Sequence, residues 1–276
     1  MGLLSWLRKN PHHIGLALSG GALHGAAHIG VLKILEREGI YPSIVAGTSV
    51  GAIIGAAYAA GVSAEDMSLM FRKASWPDLV KLSFHKSLSL FNTQPLEEFI
   101  KTKIGNFTFE TLPRKFAVIT CDLMTGERIV LDKGPVSQAV RASAAFPMIL
   151  SPVDKDKHLF VDGGVVDNLP AGQVKAMGAD YIIGVDLSTS TQLKTRPVNV
   201  MEIAVSVMNL MQSRAALQDI PLIDCYINPK VNDLSMWSFS DSEELEKRGQ
   251  EAAELVVARL RRDLGLEKSK KQINMN

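Results

Sequence analysis

Three short stretches of this chain hold residue types that could carry out acyl transfer. Gly47-Thr48-Ser49-Val50-Gly51 has GxSxG spacing. Gly47 and Gly51 allow a tight strand-to-helix turn that presents the serine hydroxyl above a sheet edge, beside a helix N-terminus that favours negative charge. In that context Ser49 is a candidate nucleophile; without it, Ser49 is a small residue capping a helix from Val50. A nucleophilic serine needs a base, and the usual hydrolase order is serine, acid, histidine. Of the six histidines, His12, His13, His24, His28, His85 and His158, only His85 and His158 follow Ser49. His158 could be set with Asp122, a pairing that nothing in the sequence supports. Asp162, in Asp162-Gly163-Gly164, follows a short strand at 159–161, and Gly163 and Gly164 let the backbone turn closely around a carboxylate that could take the Ser49 proton directly. Taken alone, Asp-Gly-Gly is an ordinary turn. The third stretch, Gly20-Gly21-Ala22-Leu23-His24-Gly25, can offer backbone N–H groups to an oxyanion at the start of a helix. It suits phosphate less well, because it lacks the Lys-Ser/Thr end of a P-loop and Ala22 fills the middle glycine position of a dinucleotide GxGxxG.

Hydrophobic patterning provides the frame for these motifs. An apolar run at 14–18 leads through the glycine turn to a helical stretch at 26–38, and a short strand at 43–46 leads through Gly47 to Gly51 into a helix at 52–60. Further strands are expected at 116–121, 128–131, 159–161, 181–185 and 225–228, and helices at 96–103, 136–143, 200–217 and 242–262. Strands alternating with helices imply a parallel, doubly wound sheet. The stretch 76–92 is the least regular, with Trp76, Leu79, Phe84 and Phe91 among lysines. It reads either as a loop packed downward or as a lid or lipid-facing cover. The stretch 233–241, with Met236 and Trp237, allows the same two readings.

In order and spacing these motifs resemble the patatin-like phospholipase family. The resemblance runs through Leu18-Ser19-Gly20-Gly21 and His28-Ile29-Gly30, GxSxG and Asp162-Gly163-Gly164, and extends to Ala144-Ala145-Phe146-Pro147 and Asp167-Asn168-Leu169-Pro170. It implies an α/β class chain with a three-layer α/β/α patatin-like fold and a mainly parallel central sheet. It also implies Ser49 as nucleophile, Asp162 as base and the backbone of Gly20, Gly21 and Ala22 as oxyanion hole, with His24, Gly25, Gly47, Gly51, Gly163 and Gly164 supporting. The expected substrate is a phospholipid, lysophospholipid or other fatty-acyl ester, with no metal and no cofactor. The family's turn usually has glycine where Ala22 stands and arginine where His24 stands, so a fixed charge gives way to one that can titrate. His28, four residues after His24, fits the family pattern and reads as structural.

Composition bounds the alternatives. A chain of 276 residues with 46% hydrophobic content can build a sizeable core. Residues 14–265 read as one catalytic domain, flanked by an N-terminal segment at 1–13 and a polar tail at 266–276. Thirty basic residues against 29 acidic leave a net charge of +1, which disfavours nucleic acid as a partner. Cys121 and Cys225 are too few and too far apart for a disulfide framework or a zinc site. Neither a transmembrane run nor a secretory signal is evident, so a cytoplasmic location follows, with peripheral membrane contact through apolar patches. Leu3, Leu4, Trp6 and Leu7 could touch a membrane surface, although packing on the domain is the simpler reading. Trp6 stands where a myristoylation motif needs Ser or Thr. The rival readings are a non-catalytic lipid-binding or regulatory domain and a nucleotide-binding domain. The sequence does not set the oligomeric state.

Overall fold

The computed structural model describes residues 13–82, 89–188 and 196–266. Strands and helices alternate through the first part. β1 (Ile14–Leu18) leads to α1 (Ala26–Arg37), and β2 (Ile44–Thr48) to α2 (Val50–Ala59); α3 (Ala64–Lys73) and the one-turn α4 (Trp76–Leu79) follow. A ribbon of β3 (Lys81–Leu82) and β4 (Phe91–Asn92) precedes α5 (Gln94–Lys103), β5 (Lys115–Asp122), β6 (Arg128–Leu131) and α6 (Val136–Ser143). The described part continues through β7 (Val153–Lys155), β8 (His158–Asp162), α7 (Ala171–Ala176), β9 (Tyr181–Val185), α8 (Val200–Leu217), β10 (Cys225–Ile227) and α9 (Ser242–Asp263).

Five strands pair in parallel, in the order β10-β9-β1-β2-β5. The ladders on β5 fix the geometry that matters most. β6 pairs antiparallel with Val118 to Cys121 on one edge. The opposite edge is shared: β2 runs along it until Thr48 faces Ile119, and β8 arrives from the other end until Asp162 faces Thr120. The C-terminal ends of β2 and β8 therefore meet in adjacent rows, and the residues leaving them emerge at one point. β7 extends the sheet beyond β8.

Side chains alternate between the two faces, as the pleat requires. Leu16, Leu18, Val45, Phe116, Val118 and Ile183 pack into the larger core with α1, α2, α3, α5 and α9. Ala17, Ile44, Ala46, Ala117 and Ile182 face a smaller cluster containing Leu169, Val174 and Ala216. Small residues on that second face let α7 lie close to β1 and β2. The result is a mixed but mostly parallel sheet with helices on both faces, the three-layer α/β/α arrangement expected from the resemblance.

The stretch 76–92 is more regular than its composition implies, because α4 and the β3–β4 ribbon lie within it. Phe84, His85 and the rest of 83–88 fall outside the described residues, as do Leu3, Leu4, Trp6, Leu7, His12 and the tail from 267. Cys121 and Cys225 are buried free thiols. Among the described residues no helix is long and apolar enough to cross a membrane, and no group of three or more His, Cys, Asp or Glu could hold a metal ion.

Candidate active site

Ser49 joins β2 to α2 in a conformation that side chains rarely adopt, with φ 54° and ψ −122°. Such a backbone costs about 1–3 kcal/mol and persists only where its surroundings enforce it. Two contacts do so here. The Ser49 N–H donates to Ser143 Oγ at 2.8 Å, and that hydroxyl donates to the Ile119 carbonyl at 2.6 Å. The turn is also too tight for side chains at its glycines: a Cβ on Gly47 would strike the Gly51 carbonyl, and one on Gly51 would strike the Leu18 carbonyl. The Ser49 side chain makes no capping bond to α2. The helix-cap reading is thereby excluded, and the hydroxyl is left for other work.

Asp162 closes β8 opposite that turn and is fully buried. Its Oδ1 accepts from the Gly164 N–H at 2.8 Å, while Oδ2 has no aligned hydrogen-bond partner among the described residues. Burial pushes the carboxyl up to about 6, against the opposing pull of the Ser49 hydroxyl and the Gly164 amide. The hydroxyl is thus near enough to stabilise the carboxylate without an aligned bond, a looseness common before substrate is bound.

The glycine turn lies against both. A Cβ on Gly20 would come within 2.6 Å of Asn168 Oδ1 and 3.2 Å of Ser49 Cβ, so only glycine allows this approach. The Gly20 N–H is already engaged by Asn168, with its carbonyl at 3.2 Å and its side-chain Oδ1 at 3.1 Å. This separates it from the other two amides expected at an oxyanion hole. Gly21 and Ala22, not Gly20, line the cavity beside Ser49, and among the described residues neither N–H donates to an acceptor. Ala22 sits at φ 48°, a left-handed value that costs a residue with a Cβ roughly 1–2 kcal/mol.

The cavity itself is apolar, with a volume of about 90 Å³. Ser49, Gly21 and Ala22 lie at its polar end, and Ile53, Trp76 and Trp237 are among its walls. Trp76 stacks on Trp237 with ring centroids 6.2 Å apart and donates through Nε1 to the Trp237 carbonyl at 3.3 Å; Phe146 meets Trp237 edge-on at 5.8 Å. Trp76 of α4 and Trp237 of the 233–241 stretch therefore meet as one aromatic cover over the site. An apolar wall of this kind suits a hydrocarbon and not a phosphate, which removes support for nucleotide binding.

The His24 side chain bonds outside the glycine turn. Its Nε2 donates to the Leu234 carbonyl at 3.2 Å, and burial, opposed by that bond, lowers it below the ordinary histidine range. His24 thus anchors the turn to the 231–237 segment, where Leu23 N also donates to the Met236 carbonyl at 3.0 Å. His28 is buried and pushed down to about 4; its Nε2 donates to the Ser19 carbonyl at 2.9 Å and holds the turn from below. His158 does pair with Asp122, at 2.8 Å, but at the opposite end of β8, about 13 Å along the strand from Asp162. It lines a different cavity and cannot serve Ser49. Sequence reasoning missed Gln212, a buried residue of α8 that reaches the Ser49 cavity and lies beside Gly164. Only its place in a helix was legible. The bracing of the glycine turn against the Asp162 loop by Asn168 is likewise not legible locally, although Asn168 falls within Asp167-Asn168-Leu169-Pro170.

Known proteins resemble this chain in sequence and in fold. A family model described as patatin-like phospholipase matches residues 16–175. Over 270 residues the chain is 30% identical to an uncharacterised NTE family protein of Mycobacterium bovis, covering 88% of this chain and 46% of that protein. It is 32% identical over 197 residues to the neuropathy target esterase sws of Drosophila melanogaster, covering 68% of this chain and 14% of that one. Among solved structures, VipD from Legionella pneumophila aligns with a TM-score of 0.52 at 15% identity, over 90% of this chain and 67% of that one. The type III effector protein ExoU aligns with a TM-score of 0.52 at 14% identity, over 92% and 54%. At such identities the likeness speaks for the fold alone. The chain spans about half the length of the mycobacterial relatives it matches. On the family match, which covers more than half its residues, this chain belongs to the patatin-like phospholipase family.

Proposed function

We propose that this chain is a serine acyl-ester hydrolase that releases fatty acid from phospholipid, lysophospholipid or a related lipid ester through a Ser49–Asp162 dyad, with residues 14–265 as one catalytic unit. Ser49 Oγ attacks the ester carbonyl while Asp162 Oδ2 takes its proton. The oxyanion is held by the Gly21 and Ala22 N–H groups, where preorganised donors act in a water-poor setting. Asp162 then returns the proton to the departing alcohol, leaving an acyl-Ser49 ester. Water, deprotonated by the same carboxylate, attacks that ester and frees the fatty acid. The acyl chain occupies the apolar cavity, and the aromatic cover of Trp76 and Trp237 meets the membrane surface from which lipid enters.

The observation that carries the reading is Asp162 Oδ2, a buried carboxylate oxygen with no aligned partner, beside a serine held in a strained turn at the polar end of an apolar cavity. The test is fatty-acid release from phosphatidylcholine and lysophosphatidylcholine by wild type, Ser49→Ala, Asp162→Asn and the double variant. Because the pair acts as a unit, all three variants should fall to a similar residual rate. Losses that multiply in the double variant would contradict the dyad. A wild type that binds lipid without releasing fatty acid would favour a binding domain.

A further inference from the structure

A second apolar cavity of about 80 Å³ lies behind the one that holds Ser49. The two share four wall residues, Leu23, Val50, Ile53 and Leu79. Beyond that partition the walls are hydrocarbon, aromatic and thioether, among them Ala57, Met67, Met70, Phe71 and Phe239. No polar group there could satisfy a water, whereas apolar cavities of this kind accept apolar ligands. Met67 and Met70 add adaptable side chains. The axis joining the cavities is α2 itself: Ser49 precedes it, Val50 and Ile53 border both cavities, and Ile54 and Ala57 border only the second.

We infer that the rear cavity is the distal acyl-chain site and sets chain-length preference, an inference that rests on the hydrolase reading above. At 1.5 Å per residue, Ala57 lies about 12 Å along α2 from Ser49 and Ile53 about 6 Å. Carbon–carbon bonds of about 1.5 Å at about 111° advance an extended chain by roughly 1.25 Å per carbon. Ile53 thus stands near the fifth carbon from the scissile carbonyl and Ala57 near the tenth. Ile53 and Leu79 stand in the partition and are both only partly buried, so a change of rotamer at either would join the two cavities. A short acyl chain fills the front cavity alone; a chain of eight to ten carbons, by the same ~1.25 Å advance, gains the rear one.

The test compares kcat/KM for p-nitrophenyl dodecanoate, decanoate and butanoate as long-to-short ratios. Ala74 lies at the partly exposed end of α3 on the rear-cavity wall, so in Ala74→Trp the indole fills that cavity from its rim. Each methylene turned out of an apolar site lowers binding about fourfold, so displacing three should lower the decanoate-to-butanoate ratio about 60-fold. Phe71→Ala widens the same cavity and should move the preference toward dodecanoate. A ratio that stays within twofold of wild type in both variants would overturn the assignment and make the cavity a packing void. Calorimetry with decanoic acid on Ser49→Ala, with and without Ala74→Trp, separates this inference from the hydrolase reading. If wild type cleaves none of these esters while Ala74→Trp abolishes decanoic acid binding, the acyl site stands and the hydrolase reading falls. If the esters are cleaved with unchanged ratios, the reverse holds.

Discussion

Replacing Asp162 by Asn should make the protein more stable while it removes activity. Asp162 is fully buried, and its carboxyl is raised from an ordinary 3.8 to about 6. A raised carboxyl is one whose protonated form favours the fold; that contribution is complete below about 3.8 and is lost as pH rises through about 6. A shift of about two units corresponds to roughly 3 kcal/mol of stability forgone at pH 8, at 1.36 kcal/mol per unit. Asn imitates the neutral acid, keeps an oxygen to accept from the Gly164 N–H and carries no charge. At pH 8 the variant should therefore gain up to about 3 kcal/mol, or about 6–12 °C in Tm at roughly 2–4 °C per kcal/mol. The advantage should shrink to about half near pH 5 and vanish below pH 3.8, as linkage between these two pKa values requires. Thermal melts of wild type and Asp162→Asn across this range, beside ester turnover, measure both halves of the claim. A variant no more stable than wild type at pH 8, or a gain that does not vary with pH, would refute the reasoning.

The same carboxyl sets the acid limb of catalysis. Because Asp162 must be ionised to accept a proton, kcat/KM on a soluble ester should fall tenfold per pH unit below about 6, and His158→Ala should leave that limb in place. A limb that disappears with His158 would return the base role to histidine. His24→Ala should lower stability by about 0.5–1.5 kcal/mol in denaturant melts through loss of its hydrogen bond to the partly buried Leu234 carbonyl, without altering the alkaline side of the pH profile. An alkaline loss in that variant would place the imidazole at the oxyanion after all. Trp76→Ser combined with Leu79→Ser should reduce turnover on phospholipid vesicles more than on a soluble ester, since both line the covered cavity. With a net charge of +1, vesicle binding should depend only weakly on salt. Equal losses on both substrates would assign the cover to packing.

What could be read from the sequence was whatever a local backbone constraint wrote into neighbouring residues. GxSxG and Asp-Gly-Gly are legible because no side chain fits at Gly47, Gly51 or Gly163, where a Cβ would strike a backbone carbonyl. β1, β6, β9, α6 and α8 match their expected bounds because apolar periodicity there is uninterrupted. Polar α3 was passed over, although Ser63 caps it by accepting from Asp66 N at 3.1 Å. The antiparallel run of β8 was also hidden, since strand direction is decided by which edge of β5 is free, a property of the whole sheet. Side-chain aim was the least accessible. His24 turns toward Leu234, 210 residues away, and Gly20 spends its amide on Asn168, 148 residues away. Such contacts are made by tertiary packing and leave no local trace.

The central claim is that the Ser49 hydroxyl, activated by Asp162, is a nucleophile. Fluorophosphonate labelling read by intact mass tests it directly, because the probe phosphonylates an activated serine and ignores ordinary hydroxyls. Wild type should gain one adduct mapping to Ser49, Ser49→Ala should gain none, and Asp162→Asn should label far more slowly. An unmodified wild type, or an adduct that persists in Ser49→Ala, would contradict the account.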